Sequence, residues 1–301
     1  MSQSPHSSYD LAIVGGGVVG LWCAYFAQKA GLKTALFEQG RLASGASGGL
    51  LGALMPHMPT QWNQKKQFQL EGLIELEQLV AEIESSTGAN CGYRRVGRVL
   101  PLTREEHVLD AKKRSEAAND VWSHDAHRFQ MCLQNKPVVS NWPVKSSMPF
   151  GCTVDDISAR INPRGLTSAL TKAIASSVDI FESCAVTAIS PNNLTLPDGT
   201  SIQFGSIIVT AGLGSFDLLK PFAPSLLGRP VKGQAAILNT KLPTDLPIIY
   251  QNGVYLIVHE DGRTAIGSTS EREFEDPSTT DLLLDEIIQK ARDICPLVAD
   301  A

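Results

Sequence analysis

The sequence predicts an α/β protein in which a Rossmann-like dinucleotide-binding domain is interleaved with a smaller α+β domain that contains an antiparallel sheet. Three observations lead to this prediction. Residues 9–38 have the pattern of a strand, a glycine-rich turn, a helix and a second strand, which is the order of a βαβ unit. Residues 206–210 form an apolar run that ends in small residues, as buried strands of parallel sheets do. Hairpin turns at 252–253 and 261–262 then indicate an antiparallel region.

The opening unit carries the most specific motif of the chain. Gly15, Gly17 and Gly20 are spaced G-x-G-x-x-G, and Glu38 stands at the end of the second strand. In such units the first glycine allows a tight turn, the second lets the backbone approach a pyrophosphate, and the third lets the helix pack on the strand. The N–H groups at the start of the helix favour phosphate. An acid at position 38 suits a ribose diol rather than a 2′-phosphate, so the motif predicts a dinucleotide other than NADP.

The residues after Glu38 form the second informative stretch. A nicotinamide-binding unit usually continues into its next helix. Here residues 44–49, which are all small, stand where that helix would be expected. Their backbone can lie close to a flat ligand. A flexible surface loop is the alternative, and the apolar run at 50–55 favours a packed and functional loop.

Composition narrows the class of protein. The 301 residues are 43% hydrophobic and 19% charged with a formal net charge of −5, which provides ample core material and no basic footprint for nucleic acid. The six cysteines include no C-x-x-C pair, and His124 and His127 have no neighbouring ligand pattern, so no metal site is predicted. Residues 1–8 lack the apolar core of a signal peptide, and no apolar run reaches the ~18 residues of a membrane span. We expect a soluble cytoplasmic protein with reduced thiols.

The order of elements predicts that the two domains are interleaved along the chain. A long helix covers residues 61–86, residues 93–102 have the pattern of a strand, and a further helix begins at Pro163. We expect a dinucleotide-binding domain at 1–85 and 150–217, and a substrate domain at 86–149 and 218–301.

Several further stretches complete an ordered set of motifs. They are GASGG and GALMPHMP in the loop after Glu38, DISARINPRGL at 156–166, IIVTAG at 207–212, RPVKGQ at 229–234 and VYLIVHEDGRTAIGST at 254–269. Together with the glycine motif, this set resembles the D-amino-acid oxidase / glycine oxidase family of FAD-dependent oxidoreductases over nearly the whole chain from Tyr9 onward. The glycine motif alone is shared by many flavoproteins, whereas the ordered set is far more specific.

The resemblance implies that the cofactor is FAD. The glycine turn and Glu38 would lie at its adenosine end, and the small-residue loop along its pyrophosphate and flavin. Val186 would reach the adenine through its backbone, and Ala211 and Gly212 would line the cofactor cleft. The residues expected at the cofactor are Gly15, Gly17, Val18, Val19, Gly20, Glu38, Gln39, Ser44, Ala46, Ser47, Gly48, Gly49, Val186, Ala211 and Gly212.

The resemblance also implies a reaction. Family members oxidise the C–N bond of a small amino acid or amine, of the D-amino acid, glycine or sarcosine type, by hydride transfer to the flavin. Dioxygen or another acceptor then takes the electrons. Tyr255 matches the position at which glycine oxidases carry a tyrosine over the substrate, although a strand tyrosine is more often a packing residue.

One feature of the family is not found in the 301 residues. Family members continue past the helix predicted at 281–294 into a segment whose arginine binds the substrate carboxylate. We therefore expect this chain by itself to be a weak or inactive amino acid oxidase, since Arg94, Arg98 and Arg263 lie in patterns that equally suit surface charges. A truncated or noncatalytic FAD-binding protein and an oxidase module for tRNA modification are the alternatives, and the lack of a basic surface counts against the second.

Overall fold

The computed structural model describes residues 5–223, 225 and 228–301. The α-helices of this part of the chain are α1 (Val18–Lys29), α2 (Gln64–Thr87), α3 (Glu106–Val121), α4 (Pro163–Ile174), α5 (Gly214–Leu219) and α6 (Leu282–Ile294). Its strands are β1 (Ser8–Val14), β2 (Thr34–Phe37), β3 (Ala53–Leu54), β4 (Arg94–Arg95), β5 (Arg98–Pro101), β6 (Ser123–His124), β7 (His127–Arg128), β8 (Met131–Gln134), β9 (Cys152–Asp155), β10 (Ala159–Arg160), β11 (Val178–Phe181), β12 (Ala188–Ser190), β13 (Asn193–Thr195), β14 (Ser201–Val209), β15 (Ala235–Leu238), β16 (Ile248–Gln251), β17 (Val254–Val258) and β18 (Thr264–Gly267). Short 3₁₀ helices lie at Ala46–Gly48, Lys145–Ser147 and Pro296–Val298.

The chain divides into two compact units, each assembled from separate stretches. Unit 1 consists of Met1–Gly49, Ile83–Asn90 and Pro163–Pro230, and unit 2 of Leu50–Glu82, Cys91–Asn162 and Val231–Ala301. Two stretches predicted for the first domain, 50–82 and 150–162, therefore belong to unit 2, and two predicted for the second, 86–90 and 218–230, belong to unit 1. As a consequence, unit 2 is the larger of the two rather than the smaller. That unit 1 is the FAD-binding domain and unit 2 the substrate domain remains a prediction.

Unit 1 is built on a six-stranded sheet in the order β11-β2-β1-β14-β13-β12. The first four strands are parallel, and β13 and β12 extend the sheet as antiparallel strands. The predicted βαβ unit is confirmed, with α1 between β1 and β2 and with Gly31 at a φ of +74° just past the end of the helix. The chain returns to this sheet after residue 150, since β11 pairs with β2 and β14 with β1.

One core cluster of unit 1 lies on one face of this sheet. All four residues of β2 and the last four of β1 are buried, as expected for central strands of a parallel sheet covered on both sides. Phe37 stacks on Phe181 of the neighbouring strand, with ring centroids 5.1 Å apart. Leu194 of β13 and Phe204 of β14 join the same cluster.

Unit 2 is built on a seven-stranded sheet in the order β15-β18-β17-β16-β5-β9-β8. Neighbouring strands in this sheet run antiparallel, with the exception of the pair β16 and β5, which is parallel. The hairpin at 252–253 is confirmed: Asn252 and Gly253 both have positive φ, at 50° and 87°, between β16 and β17. One sheet face packs on α6, where Leu256, Ile266 and Ile294 share a core cluster.

The single strand predicted at 93–102 is wrong. The structure has two short strands there, β4 in a three-stranded sheet ordered β3-β10-β4 and β5 in the seven-stranded sheet. Gly97 separates them at a φ of +75°, and the N–H groups of Val96 and Gly97 both donate to the carbonyl of Ser158. A glycine in the left-handed region breaks a strand that apolar patterning alone shows as continuous.

None of the helices in the described ranges is long and apolar enough to cross a membrane.

Candidate functional site

The carboxyl ends of four parallel strands of unit 1 meet in one row. Val14 is in register with Phe37 and Val209, and Phe37 with Phe181. The residues that follow these strands therefore emerge together, at the edge of a parallel sheet where ligands bind in open α/β folds. These residues are Gly15, Glu38, Glu182 and Thr210.

Gly15 and Gly20 shape the turn after β1. Gly15 has a φ of +107°, and a Cβ on it would collide with the backbone of Thr210, 2.5 Å from the carbonyl oxygen. A Cβ on Gly20 would collide with the carbonyl oxygen of Gly15 and would lie 2.8 Å from the Oγ1 of Thr210. Both glycines have the roles in turn formation and helix packing that the sequence predicts.

Gly17 differs from the other two glycines because it leaves open space. It precedes α1 in an extended conformation, and a Cβ there would approach only the Oγ of Ser47, at 3.1 Å. The first N–H groups of any α-helix have no partner within the helix, so the start of α1 offers donors beside an uncrowded backbone. This arrangement suits a pyrophosphate.

The small-residue loop is ordered and attached to this turn. The N–H of Val18 donates to the Oγ of Ser47, with 2.9 Å between nitrogen and oxygen. A Cβ on Gly48 would lie 2.6 Å from the carbonyl oxygen of Ala43, and the Nε of Arg164 donates to the carbonyl of Gly48 at 2.9 Å. The loop is therefore packed rather than a loose surface segment.

Glu38 holds the backbone at the end of β2. Its Oε2 accepts from the N–H of Gly16 and its Oε1 from that of Gly40, both at 2.8 Å. Each carboxylate oxygen can accept a second hydrogen bond, so the side chain still has capacity for a ribose hydroxyl. The carbonyl of Glu38 accepts from the N–H of Cys184 at 2.8 Å, which places the segment that leads to Val186 beside it.

All the residues predicted to contact the cofactor lie in unit 1, whereas Tyr255 lies in unit 2. Ala211 and Gly212 come after Thr210, the first residue past β14, and Gly212 has a φ of +56°. The exposed members of the set are Val19, Gln39, Ser44, Ala46, Gly49 and Gly212. Their contacts with FAD remain predictions.

Thr210 and Glu182 are two residues of this edge that sequence reasoning missed. The Oγ1 of Thr210 donates to the carbonyl of Gly15 at 2.9 Å and so fixes the glycine turn from the neighbouring strand. The Oε1 of Glu182 accepts from the N–H of Leu42 at 2.6 Å and anchors the start of the small-residue loop. The signal for Thr210 was available, since it is the polar last residue of the strand predicted at 206–210. No individual strand that ends before Glu182 was predicted from the sequence.

Tyr255 lies on β17 opposite Tyr250 of β16, on the sheet face of unit 2 away from α6. The two rings are 4.6 Å apart between centroids and tilted by 45°. Burial raises the pKa of the Tyr255 hydroxyl, so it stays protonated and can donate a hydrogen bond at neutral pH. Tyr250 was missed, although the Asn252-Gly253 hairpin places residues 250 and 255 directly across from each other.

The three arginines considered as partners of a substrate carboxylate have different surroundings. Arg263 pairs with Asp261 on an exposed turn, and Arg94 reaches the Oγ1 of Thr244 at 3.4 Å. Arg98, whose pattern equally suited a surface charge, is buried and paired with Asp155. Its neighbouring strand supplies the acid, a pairing that single-strand patterning cannot reveal.

A comparison with family models decides the class of this protein. The model described as FAD dependent oxidoreductase matches residues 10–301. The chain belongs to this family. Its cofactor is FAD, and the glycine turn, the helix start and Glu38 fit such a group, because the turn leaves at Gly17 the space that a side chain would fill.

The similar proteins include two glycine oxidase sequences and a solved structure of a glycine oxidase. Glycine oxidase of Bacillus subtilis is 22% identical over 298 residues, which cover 96% of this chain and 77% of that protein. Glycine oxidase of Pseudomonas aeruginosa is 26% identical over 315 residues, covering 97% and 80% respectively. The crystal structure of glycine oxidase from Geobacillus kaustophilus superposes with a TM-score of 0.85 at 22% identity, over 98% of this chain and 80% of that one. The predicted fold class is confirmed.

Proposed function

We propose that this protein oxidises the C–N bond of a small amino acid or amine, with FAD bound in unit 1. The observation that carries the proposal is the glycine turn at the shared carboxyl edge of four parallel strands, in a chain whose family is FAD-dependent. Bound FAD supplies the acceptor for a hydride from the α-carbon of the substrate.

The residues of unit 1 bind and orient the cofactor in this proposal. The start of α1 and the open backbone at Gly17 receive the pyrophosphate, and Glu38 receives the ribose. Ser47 holds its loop against the start of α1, so the loop is fixed before the cofactor arrives. Preorganised groups lose less conformational freedom on binding, which favours retention of the cofactor.

Tyr255 acts on the substrate in this proposal. Its hydroxyl is neutral at physiological pH, as an ordinary tyrosine is, and burial raises its pKa further, so it donates a hydrogen bond to a substrate oxygen. The substrate amine is neutral when the hydride leaves, since a protonated amine cannot share its lone pair with the α-carbon. The imine that results reacts with water to give an oxo acid and ammonia, or an amine where the substrate is secondary.

The names of the similar proteins support a substrate of the glycine type. The three reported above are all glycine oxidases, and the expected substrates here are glycine, sarcosine and small D-amino acids. Dioxygen is the proposed acceptor, which makes hydrogen peroxide a product. A dehydrogenase that uses another acceptor would show the same reduction of the flavin without peroxide.

A cytoplasmic location is also proposed for this protein. The cysteines of the described ranges are all free thiols, and thiols persist in reducing compartments. Cell fractionation with an antibody against the chain tests this, and recovery outside the cytoplasmic fraction would contradict it.

The test uses the FAD-loaded protein and separates the chemical step from the acceptor. Glycine, sarcosine and D-alanine are added without oxygen while the flavin absorbance is followed, and then with oxygen while peroxide is measured. We expect bleaching with at least one substrate and peroxide in air. The Gly17→Val variant, which should not retain FAD, is the negative control. A flavin that no amine or amino acid bleaches would refute the proposal.

A further inference from the structure

A cavity of about 440 Å³ lies in unit 2, between the first two turns of α3 and the connection from β8 to β9. This volume is within the usual range of small-molecule sites. One wall is a single face of the helix, made by residues spaced i, i+3, i+4 and i+7. They are Glu105, Val108, Leu109 and Lys112. None of the residues predicted to contact the cofactor or the substrate lines this cavity.

The second wall belongs to the connection from β8 to β9, and its backbone is fixed. The N–H of Phe150 donates to the carbonyl of Leu102 at 3.2 Å, and the N–H of Leu102 donates to the carbonyl of Gly151 at 2.8 Å. Gly151 has a φ of +92°, and a Cβ on it would collide with the carbonyl oxygen of Gln134. The cavity therefore has its shape before a ligand arrives, which lowers the entropic cost of binding.

Apolar side chains from both walls line the cavity. Leu109 is 61% exposed and Phe150 is 39% exposed, and Val108 and Pro149 add further apolar surface. A single exposed apolar side chain is ordinary on a protein surface. Apolar side chains from two separate elements that line one cavity instead favour a ligand with an apolar group.

Charged groups of both signs surround this apolar surface. Within the described ranges, the side chains of Glu105 and Lys112 have no ion pair or hydrogen bond. Seven positions separate them on one helix face, which is about 10 Å along the axis. Lys145 lines the same cavity, and its Nζ donates to the carbonyl of Asn135 at 2.7 Å. Two of the three donors of this ammonium are left for a ligand.

We propose that this cavity binds an apolar α-amino acid in its zwitterionic form. Glu105 receives the ammonium group of the ligand, and Lys112 receives its carboxylate with support from Lys145. The apolar side chain of the ligand lies against Leu109 and Phe150. Two ion-pair contacts of about 3 Å each, with the width of the zwitterion between them, fit the spacing of the acid and the base on α3.

Ligands with a single charge fit the cavity less well. A simple carboxylate would leave Glu105 without a partner and beside a like charge, and a simple amine would do the same to the two lysines. An α-amino acid matches both signs at once. The inference does not depend on the proposed function, since it concerns binding at a separate cavity.

The test uses the FAD-loaded protein and three probes that share one apolar side chain. L-Leucine carries both charges, isocaproate only the carboxylate and isoamylamine only the ammonium group. Binding of each probe is followed by ligand-observed NMR titration without oxygen, so that turnover does not consume the probe. We expect saturable binding of leucine with a dissociation constant of about 1 mM, because an open cavity leaves part of the ligand in water.

Two variants that each remove one charge should affect different probes. Glu105→Gln should weaken leucine and isoamylamine by about threefold to fivefold, the size expected for an exposed ion pair, and should leave isocaproate bound no more weakly. Lys112→Gln should weaken leucine and isocaproate and leave isoamylamine bound no more weakly. Lys113→Gln is the matched control, since Lys113 is exposed on the same helix and does not line the cavity. Flavin absorbance and far-ultraviolet circular dichroism verify loading and folding.

Three outcomes would overturn the inference. The first is leucine that shows no saturable binding. The second is leucine binding that neither Glu105→Gln nor Lys112→Gln changes, since the amino acid then occupies another site. The third is an equal weakening of all three probes in both variants, which marks a structural role of the two side chains. Because every measurement is of binding rather than turnover, a protein that oxidises no amine would refute the proposed function and leave this inference standing.

Discussion

Ser47 accepts a hydrogen bond through its Oγ from the backbone N–H of Val18, with 2.9 Å between the two atoms. This bond joins two features that the sequence shows separately, the glycine turn and the small-residue loop. It also places the loop beside the start of α1, where the pyrophosphate of FAD is expected. The hydroxyl of Ser47 thus prepares the site before the cofactor binds.

Ser47→Ala should weaken FAD binding without unfolding the protein. The variant loses one hydrogen bond and leaves a helix N–H without its partner, at a cost of about 1 kcal/mol or roughly fivefold in affinity. The dissociation constant is measured by quenching of flavin fluorescence on titration of the apoprotein. Ser168→Ala, at an exposed position on α4 of the same unit, is the control. Equal affinity in both variants would show that the loop is held by its other contacts.

Gly17 and Gly20 should fail in different ways when each is changed to alanine. Gly20→Ala places a methyl against the carbonyl of Gly15 and the hydroxyl of Thr210, so we expect the apoprotein to lose about 1–3 kcal/mol of stability. Gly17→Ala meets only the Oγ of Ser47, at 3.1 Å, and should leave the apoprotein nearly as stable as before. It should still bind FAD poorly, because the methyl occupies the approach of the pyrophosphate.

Urea unfolding of the apoprotein and flavin titration measure these two effects separately. Tight FAD binding by Gly17→Ala would contradict the position given to the pyrophosphate. A stable Gly20→Ala apoprotein would contradict the close packing of α1 on the turn.

Features that depend on local sequence were predicted, whereas contacts between distant residues were not. The βαβ opening follows from local patterns, since residues 9–38 contain the strand, the glycine turn, the helix and the second strand in order. The Asn252-Gly253 hairpin is also local and was predicted. The pairing of Arg98 with Asp155 joins residues that are 57 positions apart, and no periodicity in either strand reports it.

Domain boundaries show the same limit. Residues 50–82 follow the small-residue loop directly in sequence but belong to unit 2. Their assignment depends on which apolar face covers which core, and Leu70 and Ile74 of α2 pack with Trp122 and Met131 of unit 2. Such partners become neighbours only through tertiary packing, which explains why the predicted division differs there.

Tyr255→Phe should reduce turnover while FAD stays bound. In the proposed function the variant removes a neutral hydroxyl that donates to the substrate, and we expect the loss of a hydrogen bond to a charged oxygen to lower kcat/KM by roughly tenfold or more. Peroxide release with glycine measures the effect, and the flavin spectrum verifies loading. Tyr250→Phe is the matched control, since it removes the hydroxyl of the ring 4.6 Å away. A reduction of similar size in both variants would show that the tyrosine pair acts through packing.

Tyr93→Phe should protect the fold at alkaline pH. Burial raises the pKa of Tyr93 from 10.0 to about 12, and the charge of Arg95 opposes that rise only in part. The unfolded chain therefore releases this proton near pH 10 and the folded chain near pH 12. The contribution of Tyr93 to stability is intact below pH 10 and is lost as the pH rises toward 12.

Phenylalanine has no proton to lose, so the variant should lose less free energy of unfolding across that interval. Urea unfolding at several pH values from neutral to strongly alkaline measures the difference. Burial also raises the pKa of Tyr9 to about 12, so the single variant should remove only part of the alkaline loss. Parallel pH profiles for the two proteins would contradict the assignment to Tyr93.

The buried pair of Arg98 and Asp155 should show strong coupling in stability. Asp155→Leu removes the acid and leaves the guanidinium buried at 3% exposure without a counter-charge, so we expect it to destabilise the protein by about 3–5 kcal/mol. Arg98→Met alone should cost a similar amount, because it leaves the carboxylate uncompensated. The double variant removes both charges and fills much of the same volume with apolar atoms, so it should recover most of the loss. Urea unfolding of the four proteins gives the coupling energy, and additive losses in the double variant would show that the two side chains stabilise the sheet independently.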